Sequence, residues 1–227
     1  MPEIKVLSTN GVASLLRELA PQFERAAGHT LAVTWGATNG LRKEIDAGAA
    51  FDVAILTAEV TDDLIRQGKI VGTRSDIAKS GVGVAIRAGA RKPDISTVEA
   101  FKRTLLDAQS VAYSAHGMSG VYFASLLQRL GIAEQMKPKS RVPASGPTGE
   151  VAASGEAELA IQQISELLPV AGIELVGPFP AELQVFTVFS AGLGANAKEK
   201  AGAQALIDFL SAQKTNPLIK AKGLEPA

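Results

Sequence analysis

The first third of the chain alternates between short apolar runs and segments whose apolar residues recur at helical spacing. Ile4 to Ser8 predicts a strand, and the apolar residues from Leu15 to Ala26 then recur every three or four positions, with a helix stop at Gly28. Leu31 to Trp35 predicts a second strand, and the helix after it is expected to end at Ala47. Strands and helices in alternation form βα units with a mostly parallel sheet. We therefore predict an α/β fold.

Two β-prone segments break this alternation of strands and helices, and they predict how the chain divides into domains. They are Val82 to Ile86 and Leu183 to Phe189, and a second set of strands and helices lies between them. We expect a discontinuous first lobe, residues 1–81 plus 190–227, and a second lobe, residues 82–189, that includes both crossing segments. The predicted architecture is a two-lobe α/β fold with mixed, mostly parallel sheets, two crossing strands and an interlobe cleft. Small ligands usually bind in such clefts.

Local signals predict the ends of two further helices. Ser96, with Glu99 three residues later, has the spacing of a capping box ahead of a helix from Val98 to Leu106. The last helix of the chain is expected to stop before Asn216-Pro217, because proline interrupts helices.

Charge and residue content exclude several classes of protein. The chain has 23 Lys and Arg against 23 Asp and Glu, which argues against nucleic-acid and polybasic membrane-surface roles because both need a basic surplus. It has no cysteine, which excludes disulfides, thiolate metal sites and cysteine nucleophiles. Two histidines, His29 and His116, leave little room for a histidine-rich metal site. We expect no metal and no cofactor.

Hydropathy and the N-terminus bear on localisation. No stretch approaches the ~20 apolar residues that a membrane span requires, so we expect no direct membrane insertion. Met1 to Lys5 leads almost at once into an apolar strand and lacks the basic and apolar regions of a signal peptide. Two localisations stay open: periplasmic if a signal peptide was removed, and cytoplasmic otherwise.

Four loops, each between a predicted strand and a predicted helix, are rich in hydroxyl, amide and glycine residues. Helix N-termini offer unpaired N–H groups and a partial positive charge, so they hold anions without Lys or Arg. The carboxyl ends of strands in open α/β sheets also converge. Ordinary capping and turn chemistry is the better explanation of any one loop alone, but four loops in succession favour an anion site. The loops are Ser8 to Gly11, Gly36 to Gly40, Ser114 to Gly120 and Gln162 to Glu166.

Other candidate residues carry weaker signals. His116 lies in the third loop, where a base would be useful, whereas His29 follows a helix-stopping glycine and fits a surface turn. Arg42 lies one helical turn after Asn39 and could reach either a ligand carboxylate or solvent. The nucleotide fingerprints GxxxxGK[ST] and GxGxxG after a strand are absent, as is the GxSxG elbow of serine hydrolases.

Several stretches together resemble a known family over nearly the whole chain. They are VLSTNGVASLLRELAPQFE, GATNGLRKEIDAGAAFDVAIL, SDIAKSGVGVAIRAGA, and GEAELAIQQISELL followed by GIELVGPFPAELQ. In these the chain resembles the periplasmic type II solute-binding proteins, specifically the molybdate-binding-protein-like group. The resemblance implies a two-lobe fold, a small anionic ligand and an ABC transporter permease as partner. We expect a monomer.

The resemblance also implies which residues bind the ligand. In the family the first two loops supply hydroxyl or amide groups and the second lobe supplies donors at helix termini. A family tyrosine in the GEAxLxIxY stretch falls on Gln163 here, which argues against molybdate or tungstate. The group also resembles one that contains an aconitate isomerase, so a small carboxylate fits as ligand. The candidate ligand-binding residues are Ser8, Asn10, Thr38, Asn39, Ser114, Ser119, Gly120 and Gln163.

Two functions of different classes stay open. The first is a substrate-binding protein of an ABC-type uptake system that holds a small anion, either an oxyanion or a carboxylate. The second is an isomerase that shifts a proton along a small unsaturated carboxylic acid, with His116 or Glu166 as the base. A cytoplasmic sensor is disfavoured because the sequence shows no helix-turn-helix segment.

Overall fold

The structure, a computed structural model, describes residues 1–143 and 146–227. It divides into two compact units: unit 1 comprises residues 1–79 and 187–227, and unit 2 comprises residues 80–186. The elements up to the middle of the chain are β1 (Glu3–Thr9), α1 (Ala13–Ala27), β2 (Thr30–Gly36), α2 (Thr38–Asp46), β3 (Val53–Thr57), α3 (Ala58–Arg66), β4 (Ile70–Arg87), α4 (Val98–Asp107) and β5 (Val111–Tyr113). The remaining elements are α5 (Met118–Arg129), α6 (Ala133–Met136), β6 (Ser140–Arg141), α7 (Thr148–Ala153), β7 (Leu159–Gln163), α8 (Ile164–Leu167), β8 (Ile173–Pro178), β9 (Phe186–Gly194), α9 (Lys200–Ser211), α10 (Asn216–Ala221) and β10 (Glu225–Pro226).

The sheets are mixed, and the predicted α/β class with crossing strands is confirmed; the crossing strands pair antiparallel with their neighbours. In unit 1, β1 runs parallel to β2 and β3, and β9 runs antiparallel to β3. In unit 2, β5 runs parallel to β6 and β7, whereas β4 pairs antiparallel with β7 and β8. The chain passes from unit 1 to unit 2 within β4 and returns at the start of β9. The carboxyl ends of parallel strands therefore gather at one edge of each sheet.

Helix α1 shows why the sequence folds in this way locally. Its apolar residues Leu15, Leu16, Leu19 and Phe23 are buried against the unit 1 sheet and α9. The helix ends at Gly28, whose φ of 67° lies in the left-handed region that glycine adopts without strain. The stripe of apolar residues thus both selects the helix and fixes the face that it buries.

Several boundaries differ from the sequence predictions. The helix α4 is capped by Thr97, whose Oγ1 accepts a hydrogen bond from the Ala100 N–H at 3.1 Å, so the predicted Ser96–Glu99 capping box is wrong. Ser96 instead donates to Asp94 through both its N–H and its hydroxyl. The second crossing strand begins at Phe186, because the residues up to Leu183 form a 3-10 turn.

A further difference lies near the C-terminal end of the chain. The helix α9 stops before Asn216-Pro217 as expected, but a further short helix, α10, begins there. Proline within the first turn of a helix costs nothing, because its missing N–H would have had no intrahelical partner. Across the described residues, 1–143 and 146–227, no helix combines the length and the apolar character needed to cross a bilayer.

Asp52 is a buried carboxylate that ties three segments of unit 1 together. Its residue is only 4% exposed. Its Oδ2 accepts a hydrogen bond from the Lys5 N–H at 2.8 Å, and its Oδ1 accepts from the N–H groups of Lys198 at 2.7 Å and Glu199 at 3.2 Å. The three donors come from β1 and from the turn before α9, so one side chain holds both to the start of β3.

We expect the Asp52→Ala variant to lower the free energy of unfolding by about 3 kcal/mol, because it leaves three backbone donors without their acceptor. Urea denaturation of both proteins measures this. The control is Asp107→Ala on the exposed end of α4, for which we expect a change within about 0.5 kcal/mol. Equal effects of the two substitutions would contradict the role given to Asp52.

Candidate functional site

The strand ends of unit 1 bring several hydroxyl groups to one edge of the sheet. Because β1 lies between β2 and β3, the residues that follow the three strands are neighbours. Ser8 and Thr9 end β1, Thr38 opens α2 directly after β2, and Thr57 ends β3. All four residues are buried. We call this set the unit 1 hydroxyl cluster.

The hydroxyls of this cluster form few hydrogen bonds with the described residues. Those of Thr9 and Thr38 form no hydrogen bond with any described residue, and Ser8 makes only a long bond, 3.3 Å, to the neighbouring Thr9 carbonyl. Asn10 and Asn39 are exposed, and neither side chain has a partner within residues 1–143 and 146–227. Such donors remain available for a ligand.

Thr57 belongs to the cluster although the sequence analysis did not select it. Its residue is 3% exposed, and its Oγ1 is a buried side-chain polar atom without a hydrogen-bond partner among the described residues. It occupies the N-cap of α3 but does not cap that helix. The available signal in the sequence was its position, since Thr57 ends a buried strand, as Thr9 does.

Helix starts near the cluster lack side-chain caps. The N-cap residues are Ala37 for α2 and Thr57 for α3, and neither makes a side-chain capping bond. The 3-10 turn after β1 is packed tightly, because a Cβ on Gly11 would lie 2.3 Å from the Phe189 ring. Uncapped N–H groups with a partial positive charge suit a carboxylate or an oxyanion.

In unit 2 the loop from Ser114 to Gly120 is organised around its first residue. The Ser114 Oγ accepts hydrogen bonds from the N–H groups of His116 at 3.3 Å and Gly117 at 2.9 Å. Gly120 packs directly on this turn, since a Cβ there would lie 1.9 Å from the Ser114 carbonyl oxygen. Ser114 and Gly120 therefore shape the loop. Ser119 is buried, and its hydroxyl forms no hydrogen bond with a described residue.

Three other candidates are engaged elsewhere or exposed. His116 is exposed, and its ring has no hydrogen bond within the described chain. Arg42 forms ion pairs with Asp46 at 3.0 Å and Asp63 at 3.5 Å, which occupies its guanidinium. The Nδ1 of His29 lies 2.9 Å from the Ala27 carbonyl oxygen, which holds this ring at the end of α1.

The fourth loop carries a buried polar network that the sequence did not reveal. Gln162 and Gln163 end β7 and are both buried, and Gln163 lies opposite Val82 on β4. The Gln162 Oε1 accepts two hydrogen bonds from Thr148 at the start of α7, one from its N–H and one from its hydroxyl, both at 2.9 Å. The Thr148 hydroxyl also lies 3.1 Å from the Ile161 carbonyl oxygen.

Glu166 follows Gln162 by four positions, on α8. Burial raises the pKa of its carboxyl from 4.5 to about 7, and side-chain hydrogen bonding with Gln162 opposes this rise. A carboxyl with a pKa near 7 exchanges protons readily at neutral pH, which suits general acid–base chemistry. Among the described residues no group of three or more acidic or histidine side chains gathers in a way that could hold a metal ion.

Comparison with known protein families gives one match across almost the whole chain. The family described as "Bacterial extracellular solute-binding protein" matches residues 4–225. An aconitate isomerase from Pseudomonas sp is 35% identical over 98% of this chain and 87% of its own length. The molybdate-binding protein ModA of Azotobacter vinelandii is 26% identical over 97% of this chain and 89% of its own length.

Solved structures agree with this match at the level of fold. The periplasmic molybdate-binding protein of Azotobacter vinelandii superposes with a TM-score of 0.80 at 23% identity, covering 97% of this chain and 98% of that one. The sulfate-binding protein SubI of Mycobacterium tuberculosis H37Rv superposes with a TM-score of 0.75 at 15% identity, covering 100% and 88%. The resemblance inferred from the sequence is thereby confirmed.

Proposed function

The chain belongs to the bacterial extracellular solute-binding protein family, and from this premise we propose that it is an isomerase of a small unsaturated carboxylic acid. The observation that carries the proposal is the 35% identity to an aconitate isomerase, which extends over 98% of the chain. Glu166, one of the two bases considered from the sequence, supports it because its carboxyl titrates near neutrality. His116, the other, is exposed and held only through its backbone.

The reaction is a proton shift without change of composition. The Glu166 carboxylate removes a proton from the methylene group next to the double bond, and the electron pair left behind spreads over the allylic system and the adjacent carboxylate. The same carboxyl then returns the proton to the other end of that system. The double bond moves by one position and is free to take the opposite geometry. A pKa near 7 suits both steps, because it allows the same group to accept and to donate at neutral pH.

The unit 1 hydroxyl cluster supports the binding of the substrate carboxylates. Its hydroxyl donors and the uncapped starts of α2 and α3 supply hydrogen bonds without fixed positive charge. Neutral donors of this kind hold a carboxylate and stabilise negative charge on it. This agrees with the absence of a basic surplus in the chain.

Proton NMR of cis- and trans-aconitate in D2O with the protein tests the proposal. We expect interconversion of the isomers and exchange of the methylene protons with deuterium, because the abstracted proton equilibrates with solvent. A protein that causes neither interconversion nor exchange would refute the isomerase function for this substrate class.

The second candidate is a binding protein without turnover, part of an ABC-type uptake system. The family match and the two molybdate-binding relatives favour it. Calorimetric titration with molybdate, sulfate and di- and tricarboxylates tests this function, with Trp35 fluorescence as a second signal. Trp35 lies next to the second loop, and the Arg17 guanidinium lies 5.2 Å from its ring centre. Binding of a carboxylate without NMR turnover would favour this candidate, and absence of any heat or fluorescence change would exclude it.

We expect Thr38→Ala and Ser119→Ala each to weaken the binding of the carboxylate ligand about tenfold, since each removes the hydroxyl of a largely buried residue, and that hydroxyl has no partner among the described residues. Calorimetry or KM measures the loss. Thr30→Ala is the matched control, because Thr30 is exposed at the amino end of β2. If affinity is unchanged in both test variants, these hydroxyls do not contact the ligand.

A further inference from the structure

We propose that Thr57 and the start of α3 bind a second carboxylate of the ligand, so that the protein selects di- and tricarboxylates over monocarboxylates and inorganic oxyanions. The inference rests on the carboxylate ligand of the proposed function and deepens it, because that function names no residue that distinguishes these classes of anion. Thr57 is then a residue that determines specificity.

The Thr57 hydroxyl is a buried group whose lack of a partner needs an explanation. The residue is 3% exposed, and its Oγ1 forms no hydrogen bond within residues 1–143 and 146–227. Such a group destabilises the folded protein, and buried polar groups in native proteins are almost always hydrogen-bonded. Thr61 shows the usual situation, since its buried hydroxyl donates to the Thr57 carbonyl oxygen at 3.1 Å. A ligand that accepts a hydrogen bond from Thr57 removes the cost.

The position of Thr57 in the chain places its hydroxyl at the start of α3. Thr57 is the N-cap residue of this nine-residue helix, with an extended backbone at φ −70° and ψ 146°. A threonine in this conformation normally caps the first turn through its oxygen, but here no such bond forms. Since the first N–H groups of a helix have no acceptor inside it, these groups and the hydroxyl form one set of donors that suits a carboxylate. Glu59, the acidic residue of this turn, is exposed, so solvent screens its charge.

The sheet separates this set of donors from the donors that follow β2. The strand order is β2-β1-β3. Gly36 at the end of β2 and Ile55 near the end of β3 pair with consecutive residues of β1, so the chain leaves both strands at nearly the same level. Neighbouring strands lie about 4.8 Å apart, which puts the two helix starts roughly 10 Å apart. One carboxylate, with hydrogen bonds of about 3 Å, reaches donors on adjacent strands but does not bridge this distance. Thr38 at the start of α2 and Thr57 at the start of α3 therefore bind different groups of the ligand.

Two separate carboxylate subsites define the class of ligand. A monocarboxylate fills one of them and leaves the other empty, and sulfate or molybdate carries its charge at a single centre. A di- or tricarboxylate with its carboxylates on a short carbon chain occupies both. The hydrogen bond from Thr57 is then made only with ligands that carry a second carboxylate.

Calorimetric titration of the Thr57→Val variant with propane-1,2,3-tricarboxylate tests the proposal. This compound has the carboxylates of aconitate but no double bond, so it cannot be isomerised and reports binding alone. Valine keeps the size of the side chain and removes the hydroxyl. We expect the dissociation constant of the tricarboxylate to rise about tenfold, as for loss of one hydrogen bond to a charged group, and those of butyrate and sulfate to change less than about twofold. The melting temperature of the ligand-free variant should be unchanged or higher, because the lost hydroxyl has no partner among the described residues.

Thr61→Val and Thr57→Ser are the matched controls. Thr61→Val also removes a buried threonine hydroxyl from this part of the chain, but that hydroxyl has an acceptor inside the protein. This variant should melt at a lower temperature and keep its affinity for the tricarboxylate. Thr57→Ser keeps the hydroxyl and should bind the tricarboxylate within about twofold of the unaltered protein. If Thr57→Val does not fold, Thr57→Ala takes its place with the same expected loss of affinity.

Binding and turnover separate the inference from the function on which it rests. An unchanged affinity of Thr57→Val for the tricarboxylate would overturn the second subsite, as would failure of the unaltered protein to bind this compound. An equal loss of affinity for sulfate would also overturn it, because a single anion subsite would then contain Thr57. Isomerisation of aconitate together with any of these results would leave the proposed function in place. Tricarboxylate binding that depends on Thr57, without isomerisation of aconitate, would refute the isomerase function and support the subsite.

Discussion

Replacement of Glu166 by glutamine should reduce kcat for isomerisation by about 10²- to 10⁴-fold, the usual contribution of a general base. Glutamine keeps the size of the side chain but cannot take a proton. KM should change little, because the substrate carboxylates are bound by other groups. NMR turnover of aconitate measures the loss. The control is Glu150→Gln, which removes one exposed carboxylate from the neighbouring helix α7 and should leave turnover unchanged.

The same substitution should also stabilise the protein, in a pH-dependent way. Because burial raises the folded pKa of Glu166 to about 7 from 4.5, the folded state binds more protons than the unfolded state between these values. The free energy of unfolding of the unaltered protein therefore falls as pH rises through this window, by about 3 kcal/mol in total. Below pH 4.5 the carboxyl is protonated in both states and this loss is absent.

Glu166→Gln removes this penalty, so its stability gain should be largest above pH 7 and small near pH 4.5. Urea denaturation of both proteins at a series of pH values measures the difference. Glu150→Gln should follow the pH dependence of the unaltered protein. Retention of activity in Glu166→Gln would remove it from the mechanism, and an unchanged pH dependence of stability would show that its carboxyl is not buried.

The Gly120→Ala variant should lose about 3 kcal/mol of stability or fail to fold, because the new methyl carbon would lie 1.9 Å from the Ser114 carbonyl oxygen. The obstacle is backbone on both sides, so neither can give way without moving the loop or the start of α5. Circular dichroism melts and denaturant titrations measure the loss. Ligand affinity should fall with it, since Ser119 lies in the same turn of the helix.

Gly40→Ala is the matched control for this effect. Gly40 lies within α2, and apart from its chain neighbours and the nearby helix backbone no described atom lies within 4 Å of the position that a Cβ would take. Alanine should therefore stabilise the protein by about 0.5–1 kcal/mol through its higher helix propensity. If Gly120→Ala were as stable as Gly40→Ala, the close approach of α5 to Ser114 would be incorrect.

Much of the fold could be predicted because its signals are local. The stripe from Leu15 to Phe23 selects α1 and its buried face through the period of the helix alone, and Gly28 ends it. The boundaries that were missed depend on competition between neighbours. Thr97 and Ser96 are both able to cap α4, and Asp94 decides between them by binding the Ser96 hydroxyl.

Less of the candidate site could be predicted. Ser8, Thr38 and Ser119 could be selected from the sequence because hydroxyl residues near predicted helix starts can be recognised from the order of residues alone. The sequence also named Glu166 as a base, but on position in a loop and not on any property of its carboxyl. Ser114 and Gly120 were selected as ligand contacts, whereas the structure gives both a part in the shape of their loop.

The sequence by itself determined the α/β class, the family and the position of the loops at strand ends, because periodicity and short motifs need only neighbouring residues. Tertiary structure alone decided which polar groups lack a partner and which carboxyl titrates near neutrality. The Thr57 hydroxyl has no partner among residues 1–143 and 146–227 because the fold places none beside it, and Gln162 accepts a hydrogen bond from Thr148, 14 positions earlier, because the fold brings the two together. Burial and hydrogen bonding depend on what surrounds a group in three dimensions, and these two quantities set the chemistry of Glu166.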